Sequence, residues 1–264
     1  MAVAQAEQED PVSKLAWQVG PGVGLIGDKA TINIPEGYGF LNAAETKKFM
    51  DMNQNFSNGK EYLLAPPGMS WFAIFSFNPV GYVKDDETVN ANEILDAVKQ
   101  GTETGNEERR KRGWSTMTVK GWRFQPQYDS QAKLLEWALL AKNDRDNTDV
   151  VNYNTRLLGR TGVMEVVLVS DPTTLDGAVG DLKKSLGAYS FVAGEKYSEF
   201  KAGDHVAEFG LAALVAGGAA AVAAKKGFFA AIGAFLAATW KLIAAAFVGV
   251  FYWLRNLFSS KKDQ

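Results

Sequence analysis

The sequence contains no cysteine and only one histidine, His205, among its 264 residues. Without cysteine the chain has no disulfide, no thiolate metal site and no cysteine nucleophile. A single histidine excludes multi-histidine metal sites and histidine relays. Because His205 follows Asp204 at the start of a hydrophobic region, we interpret it as a solvated surface group. We therefore expect neither a metal nor another cofactor.

The charge balance gives no general reason to expect a nucleic-acid partner. Lys and Arg number 28 and Asp and Glu number 30, for a net charge of −2, whereas phosphate binding needs a basic face. The stretch "EERRKR", Glu107 to Arg112, is a candidate patch for nucleic acid or anionic lipid. Its order, acid first and base last, is also the order that the dipole of a helix favours at its C-terminal end. We interpret it as a solvated helix end.

The stretch "GPGVGLIG", Gly20 to Gly27, has the glycine spacing of a dinucleotide-binding fingerprint. That site needs a helix that opens on the last glycine, because the helix N-terminus binds the pyrophosphate. Here the next residues, "DKATINIP", alternate as a strand and end at Pro35. The pattern predicts a glycine-rich turn between strands and no bound NAD or FAD.

Two acidic patterns are incomplete as chemical sites. Asp144, Asp146 and Thr148 alternate like the ligands of a calcium loop, but Asp149 stands where an EF-hand needs glycine and no bidentate glutamate follows. We interpret "NDRDNTD" as a polar hairpin loop. Asp85 to Glu87 with Glu93 or Asp96 could form paired carboxylates, yet no nucleophile accompanies them.

Hydrophobic periodicity predicts three helices and a meander of strands. One helix runs from Asn42 or Ala43 to about Met52, a strand buried on both faces covers 71–77, and a long helix begins at Asn90 or Asn92 and ends at Gly113. The long helix should turn Ile94, Val98, Gly101 and Gly105 inward, with the glycines allowing close approach to a sheet. Residues 115–170 form a β-meander, and a last helix follows residues 172–174. The soluble part is therefore α+β, a largely antiparallel sheet covered by helices.

The meander has one apolar face and one polar face. The apolar face is expected to contain Leu135, Trp137, Leu139, Ala141, Val151, Tyr153, Leu157, Val163, Val167 and Val169. On the opposite face, the strand "NYNTRLLGR" presents Asn152, Asn154 and Arg156, with Arg160 after it. A row of amides with arginine is a candidate face for a carboxylate or peptide ligand, although a plain wet face is the interpretation that we favour.

The C-terminal region is strongly hydrophobic. From Phe209 to Leu254 the only charged residues are Lys225, Lys226 and Lys241. We predict a membrane anchor over 204–258, with two transmembrane helices at 206–224 and 227–254 joined as a hairpin; a single crossing with the first segment at the interface, and an alanine-rich soluble hairpin, are the alternatives. The anchor residues that we single out are Gly217, Gly218, Trp240, Lys241 and Trp253.

The remaining boundaries follow from these assignments. Residues 1–13 form a flexible N-terminus whose alanine spacings resemble the end of a secretory signal, residues 14–203 form the soluble α+β domain, and residues 259–264 form a polar tail.

Several long stretches resemble a bacterial family of uncharacterised membrane-anchored proteins, domain of unknown function 2167. They are "GPGVGLIGDKATINIPEGYGFL", "GYVKDDE", "GTETGNEERRKRGW", "VNYNTRLLGRTGVMEV" and "GDHVAEFGLAALVAGGAAAVAAKKG". The resemblance implies an envelope protein with an exported domain and a hydrophobic anchor, and it supplies no catalytic residues. The order of strands and last helix is also similar to the Mog1/PsbP type of fold, which assigns no function.

These observations lead to three hypotheses. The first is a non-enzymatic binding or scaffold domain at the bacterial inner membrane, with its soluble domain in the periplasm and a protein or peptide as partner. The second is an enzyme of unrecognised class that uses Asp85, Asp86, Glu93 and Arg156. The third is an oligomer that self-associates through its anchor around Lys241, as a pore or membrane-stress element.

Overall fold

The computed structural model of the protein describes residues 11–216, which form four α-helices and eleven strands within that range. The strands are β1 (Gln18–Val19), β2 (Gly22–Ile26), β3 (Ala30–Ile34), β4 (Gly39–Leu41), β5 (Glu61–Ala65), β6 (Trp71–Asn78), β7 (Met117–Asp129), β8 (Leu134–Asn143), β9 (Asp149–Leu158), β10 (Val163–Ser170) and β11 (Ser190–Phe191). The helices are α1 (Ala43–Met52), α2 (Ala91–Lys111), α3 (Leu175–Leu186) and α4 (Leu211–Ala216).

Eight of the strands form one antiparallel sheet in the order β1-β4-β5-β6-β10-β9-β8-β7, and β11-β3-β2 form a smaller antiparallel sheet. The predicted meander corresponds to β7 through β10. The α+β class and the largely antiparallel sheet are confirmed.

Side-chain caps fix the starts of two helices, as the sequence predicts. The side chain of Asn42 accepts a hydrogen bond from the amide of Glu45 at 3.1 Å, and that of Asn90 accepts one from the amide of Asn92 at 3.1 Å. Each cap satisfies an amide that has no partner inside its helix. The basic end of "EERRKR" forms the last turn of α2, which is the dipole-favoured place for it.

The large sheet is covered on both faces. One face, which we call the Tyr153 face, packs against α3 and the small sheet. The other, which we call the Arg156 face, packs against α1 at one end and against α2 and α4 at the other. Sheets that are covered on both sides have apolar residues at odd and even positions, so alternation no longer identifies the core face.

The predicted apolar face is wrong in part for this reason. In the observed register Trp137 lies opposite Asn154, and Val167 also lies opposite Asn154, so both belong to the Arg156 face. On β10 it is Val166 and Leu168 that lie on the Tyr153 face. The apolar set of the sequence prediction therefore mixes residues from the two faces.

The glycines of α2 do not mark close packing. A Cβ atom added at Gly101 or Gly105 would have no neighbour within 4 Å, so both face open space. The helix is held at this end by the buried side chain of Asn106, whose amide donates to the carbonyl of Met117 at 2.8 Å and whose oxygen accepts from the Met117 amide at 2.9 Å. These two hydrogen bonds, and not the glycines, hold α2 close to β7.

The "GPGVGLIG" stretch leads into a hairpin, and no helix follows it. Gly22 and Gly24 lie within β2, and the turn to β3 begins at Gly27, where φ is +57°. A Cβ atom at Gly20 would lie 2.0 Å from the carbonyl oxygen of Pro35, so this position has room only for glycine. The glycines serve the backbone.

The chain after residue 203 continues to pack on the domain. The amide of Ala207 donates to the carbonyl of Tyr82 at 2.9 Å, and Leu211, Leu214 and Val215 are buried against α2 and β8. The described residues through Ala216 belong to the same compact unit. Within residues 11–216 no helix is long and apolar enough to span a bilayer. Most of the predicted hairpin lies outside the described residues, as do Gly217, Gly218, Trp240, Lys241 and Trp253.

Candidate functional site

A large open cleft lies on the Tyr153 face near the turn between β7 and β8. Its floor consists of strand residues such as Leu134, Glu136 and Leu157. One wall is the end of α3 with β11, and the other is the segment 196–200 together with Tyr82. The cavity has a volume of about 1080 Å³. We call it the 136/183 cleft, after Glu136 and Lys183.

Aromatic side chains form much of the two walls. The ring of Tyr82 stacks on Tyr197 with 4.3 Å between centroids, and it contacts the tilted ring of Phe200 with 4.2 Å between centroids. Across the cleft, Tyr189 and Phe191 meet edge to face at 5.3 Å. Phe200 is 39% exposed, so its ring is available for contact.

Asp85 holds one wall in place from behind. Its carboxylate accepts hydrogen bonds from the hydroxyl of Tyr128 at 2.7 Å, the ammonium of Lys133 at 2.7 Å and the hydroxyl of Tyr197 at 3.0 Å. Partial burial raises the pKa of Asp85, but these three donors outweigh it and lower the pKa to about 2. Burial and the neighbouring Asp85 raise the pKa of Tyr128.

On the floor, Glu136 connects the sheet to α3. It accepts a hydrogen bond from the hydroxyl of the buried Tyr153 at 2.5 Å and forms an ion pair with Lys183 at 2.9 Å. Burial raises the pKa of Tyr153, and the hydrogen bond to Glu136 raises it further. The side chain of Glu136 is 18% exposed and that of Lys183 is 49% exposed, so the cation lies on the solvent side of the anion.

The structure brings three of the sequence-predicted site residues onto one face. Asn152, Asn154 and Arg156 all point to the Arg156 face, away from the 136/183 cleft. Arg156 is only 7% exposed, and its guanidinium carbon lies 4.8 Å from the centre of the Trp137 ring. Burial lowers the pKa of Arg156, and Glu165, 3.8 Å from its Nε, partly offsets this. A stacked and buried guanidinium is not a wet surface group.

Arg160 belongs to a different part of the molecule. Its guanidinium forms two hydrogen bonds of 2.7 Å with the carboxylate of Asp204, and it also donates to the carbonyl of Gly194 at 3.3 Å. These bonds tie the segment after β11 to the end of β9. Because Asp204 already binds the guanidinium group, Arg160 has a structural role and stabilises the wall of the cleft.

The four residues of the enzyme hypothesis do not form one cluster. Asp85 contacts Tyr128, Lys133 and Tyr197, whereas Glu93 accepts a hydrogen bond from Asn90 at the start of α2. Arg156 lies against Trp137 in the sheet. No hydrogen bond or ion pair between residues 11 and 216 joins these groups.

The sequence analysis did not identify the residues of the 136/183 cleft as a site. They come from segments that are far apart in the chain, near residues 82, 127–136, 157 and 183–200. The one available signal was the density of aromatic residues after α3, in "AYSF" and "EKYSEF". Aromatic residues clustered in this way indicate an aromatic surface.

The fold and cleft define an α+β protein with a large antiparallel sheet. The chain belongs to the family described as protein of unknown function DUF2167, which it matches over residues 18–249. It is similar in structure to the cyanobacterial PsbP protein (CyanoP) of Synechocystis sp. PCC 6803, with 10% identity and a TM-score of 0.38 over 66% of this chain and 98% of that one. The curated proteins contain no match to the sequence.

Proposed function

We propose that this protein is a binding domain of the bacterial cell envelope, held at the inner membrane by its C-terminal segment, and that the 136/183 cleft receives a protein or peptide partner. The cleft is the observation that carries the proposal. Its volume of about 1080 Å³ lies at the upper end of the roughly 300–1,000 Å³ of small-molecule pockets, which leaves room for several side chains of a peptide. Its tyrosine and phenylalanine side chains are of the types that are enriched at protein interfaces.

The titratable groups at the cleft support binding over proton transfer. The pKa of Asp85 is about 2 and the pKa values of Tyr128 and Tyr197 are raised, so near neutral pH the carboxylate stays charged and the hydroxyls stay protonated. A general acid or base works best with a pKa close to the working pH. Groups fixed in one protonation state by contacts within the domain can shape a binding surface but are poorly placed to transfer a proton.

The packing of α4 bears on how the domain reaches the membrane. Leu211, Leu214 and Val215 are buried in the domain, so they are not available to lipid. The apolar residues 217–224 that remain of the first hydrophobic segment would span about 12 Å as a helix, against a hydrocarbon thickness of about 30 Å. Residues 227–254 would span about 42 Å. We therefore favour one crossing by 227–254, with Arg255, Lys261 and Lys262 on the cytoplasmic side.

Cysteine labelling in intact cells tests this topology. Because the chain contains no cysteine, Asn147→Cys and Gln264→Cys each introduce a unique thiol into the full native coding region. We expect a membrane-impermeant maleimide to label position 147 before lysis and position 264 only after lysis. Labelling of both positions before lysis would replace the single crossing by a hairpin. Labelling of neither would place the domain in the cytoplasm and contradict the envelope proposal.

Site-specific photo-crosslinking tests the cleft as the partner site. Phe200 in the cleft and Phe56 outside it are each 39% exposed, so they form a matched pair. With benzoylphenylalanine in place of Phe200, ultraviolet light should produce a discrete adduct of higher mass in cells, because the ring lies where the partner docks. The same substitution at Phe56 should produce none. Equal adducts at both positions, or none at 200, would contradict a partner in the cleft.

A further inference from the structure

The charged groups of the 136/183 cleft are arranged in two layers. Two carboxylates form the inner layer, Asp85 behind the wall and Glu136 on the floor, at 24% and 18% side-chain exposure. Their lysine partners are the outer layer, with Lys133 at 36% and Lys183 at 49%. Lys196, which also lines the cleft, is exposed. A molecule in the cleft meets these ammonium groups, together with the exposed carboxylate of Asp129, before it reaches Asp85 or Glu136.

The inner carboxylates are already engaged by the domain itself. Asp85 accepts three hydrogen bonds, and Glu136 accepts from Tyr153 and Lys183. The exposed Asp129 accepts from the amides of Gln131 and Ala132 at 2.8 and 3.0 Å. Each lysine ammonium, in contrast, has three N–H donors and no acceptor. Donors beyond those used in the ion pairs can bind an incoming anion.

We propose that the 136/183 cleft binds an acidic segment of a polypeptide, whose carboxylates pair with Lys183 and Lys196 and whose apolar side chains lie between the aromatic walls. This inference rests on the proposed function and names the chemistry of the partner. Charge complementarity of this kind speeds association and favours partners of negative charge.

The apolar part of the cleft fits side chains of an extended chain. Leu134 and Leu157 on the floor and Leu186 on the wall line the same cleft as the aromatic pairs. Tyrosine and phenylalanine give large contact areas with little loss of rotamer freedom, as in other peptide-binding surfaces.

The polar lining favours a peptide over a lipid acyl chain. Polar side chains lie among the apolar ones at Gln127, Gln131, Ser190 and Ser198. A hydrocarbon chain would cover these groups without offering hydrogen bonds, which is costly. A peptide backbone presents a donor and an acceptor at nearly every residue.

The experiment compares two pools of fluorescein-labelled twelve-residue peptides binding to the full chain in nanodiscs of uncharged lipid. Both pools contain the same Leu, Phe and Pro residues, and the other positions are Asp and Glu in one pool and Lys and Arg in the other. We expect the acidic pool to bind at least about tenfold more tightly, which corresponds to about 1.4 kcal/mol. Its affinity should fall as salt is raised, because the contacts are screened.

Lysine variants locate the effect. The double variant Lys183→Gln and Lys196→Gln should weaken the acidic pool about tenfold and flatten its salt dependence. The matched control is Lys184→Gln with Lys47→Gln, which removes two exposed lysines that pair with Asp181 and Asp51 outside the cleft. The control should bind like the parent protein.

Other outcomes overturn the inference. Equal binding of the two pools, or preference for the basic pool, would show that the lysines do not select the partner. Displacement of fluorescence by dodecanoate but not by unlabelled acidic peptide would assign the cleft to a lipid. If the adduct at position 200 forms in cells and the acidic pool fails, the proposed function stands and the acidic partner falls. If both fail, the cleft is not a partner site.

Discussion

Replacing Asp85 with alanine is expected to lower the free energy of unfolding by about 2–4 kcal/mol, because it removes the shared acceptor of three donors that lie partly buried. The hydroxyls of Tyr128 and Tyr197 and the ammonium of Lys133 all lose this partner. The measurement is urea unfolding of the full chain in mild detergent, followed by tryptophan fluorescence. The same contacts shape the cleft wall, so the acidic pool should also bind more weakly.

The neighbouring residue provides the control. Asp86 is exposed, and its replacement by alanine should change the unfolding free energy by less than about 0.5 kcal/mol. Similar losses for the two variants would mean that the effect arises from general charge, and that the Asp85 contacts contribute little.

The lowered pKa of Asp85 predicts how the free energy of unfolding depends on pH. Its pKa falls from an ordinary 3.8 to about 2 on folding. The ionised form is therefore favoured in the folded state, and the stabilisation is complete above about pH 4 and disappears as the pH falls toward 2. The parent protein should lose about 2 kcal/mol more than Asp85→Asn across this window. Parallel pH profiles for the two proteins would contradict the assignment.

Local signals in the sequence were sufficient for most elements. Asn42 and Asn90 are caps whose chemistry is local, so the starts of α1 and α2 follow from the sequence alone. The strands of the meander follow from their length and the polar turns between them, and β-branched residues add to the signal in β7, β9 and β10. The sequence does not show which residues of β8 and β10 point to which face of the sheet, because apolar residues occur at both odd and even positions of these strands.

The cleft and the boundary of the domain depend on tertiary contacts. The cleft forms only when Tyr82, Glu136 and Phe200 come together from three distant segments. The apolar stretch that contains Leu211 and Leu214 has the same composition whether it meets lipid or a protein core. Hydropathy measures the preference for an apolar environment and does not say which one is present. The polar face at Arg156 was predicted from alternation, which placed it correctly on one side of β9 but could not show that Trp137 covers it.

The sequence makes Arg156 a candidate ligand-binding residue, whereas the structure buries it against Trp137. Substitution of Arg156 distinguishes these two roles. If it is a buried structural group, Arg156→Met should leave the free energy of unfolding unchanged or raise it, because an apolar side chain of similar length keeps the packing on Trp137 and removes the cost of burying a charge. Glu165 would retain its hydrogen bond from Asn78 at 3.0 Å and its partial exposure to water. Urea unfolding of the full chain measures the change.

Arg156→Ala should behave differently, with a loss of about 2–4 kcal/mol, because it leaves a cavity beside Trp137 in place of the stacked guanidinium. Both variants should bind the acidic peptide pool with the affinity of the parent protein when folded, since Arg156 lies on the opposite face from the 136/183 cleft. A folded Arg156→Met protein that no longer binds would move the partner site to the face of Asn152, Asn154 and Arg156. Unfolding of Arg156→Met to the same extent as Arg156→Ala would mean that the charge itself stabilises the sheet.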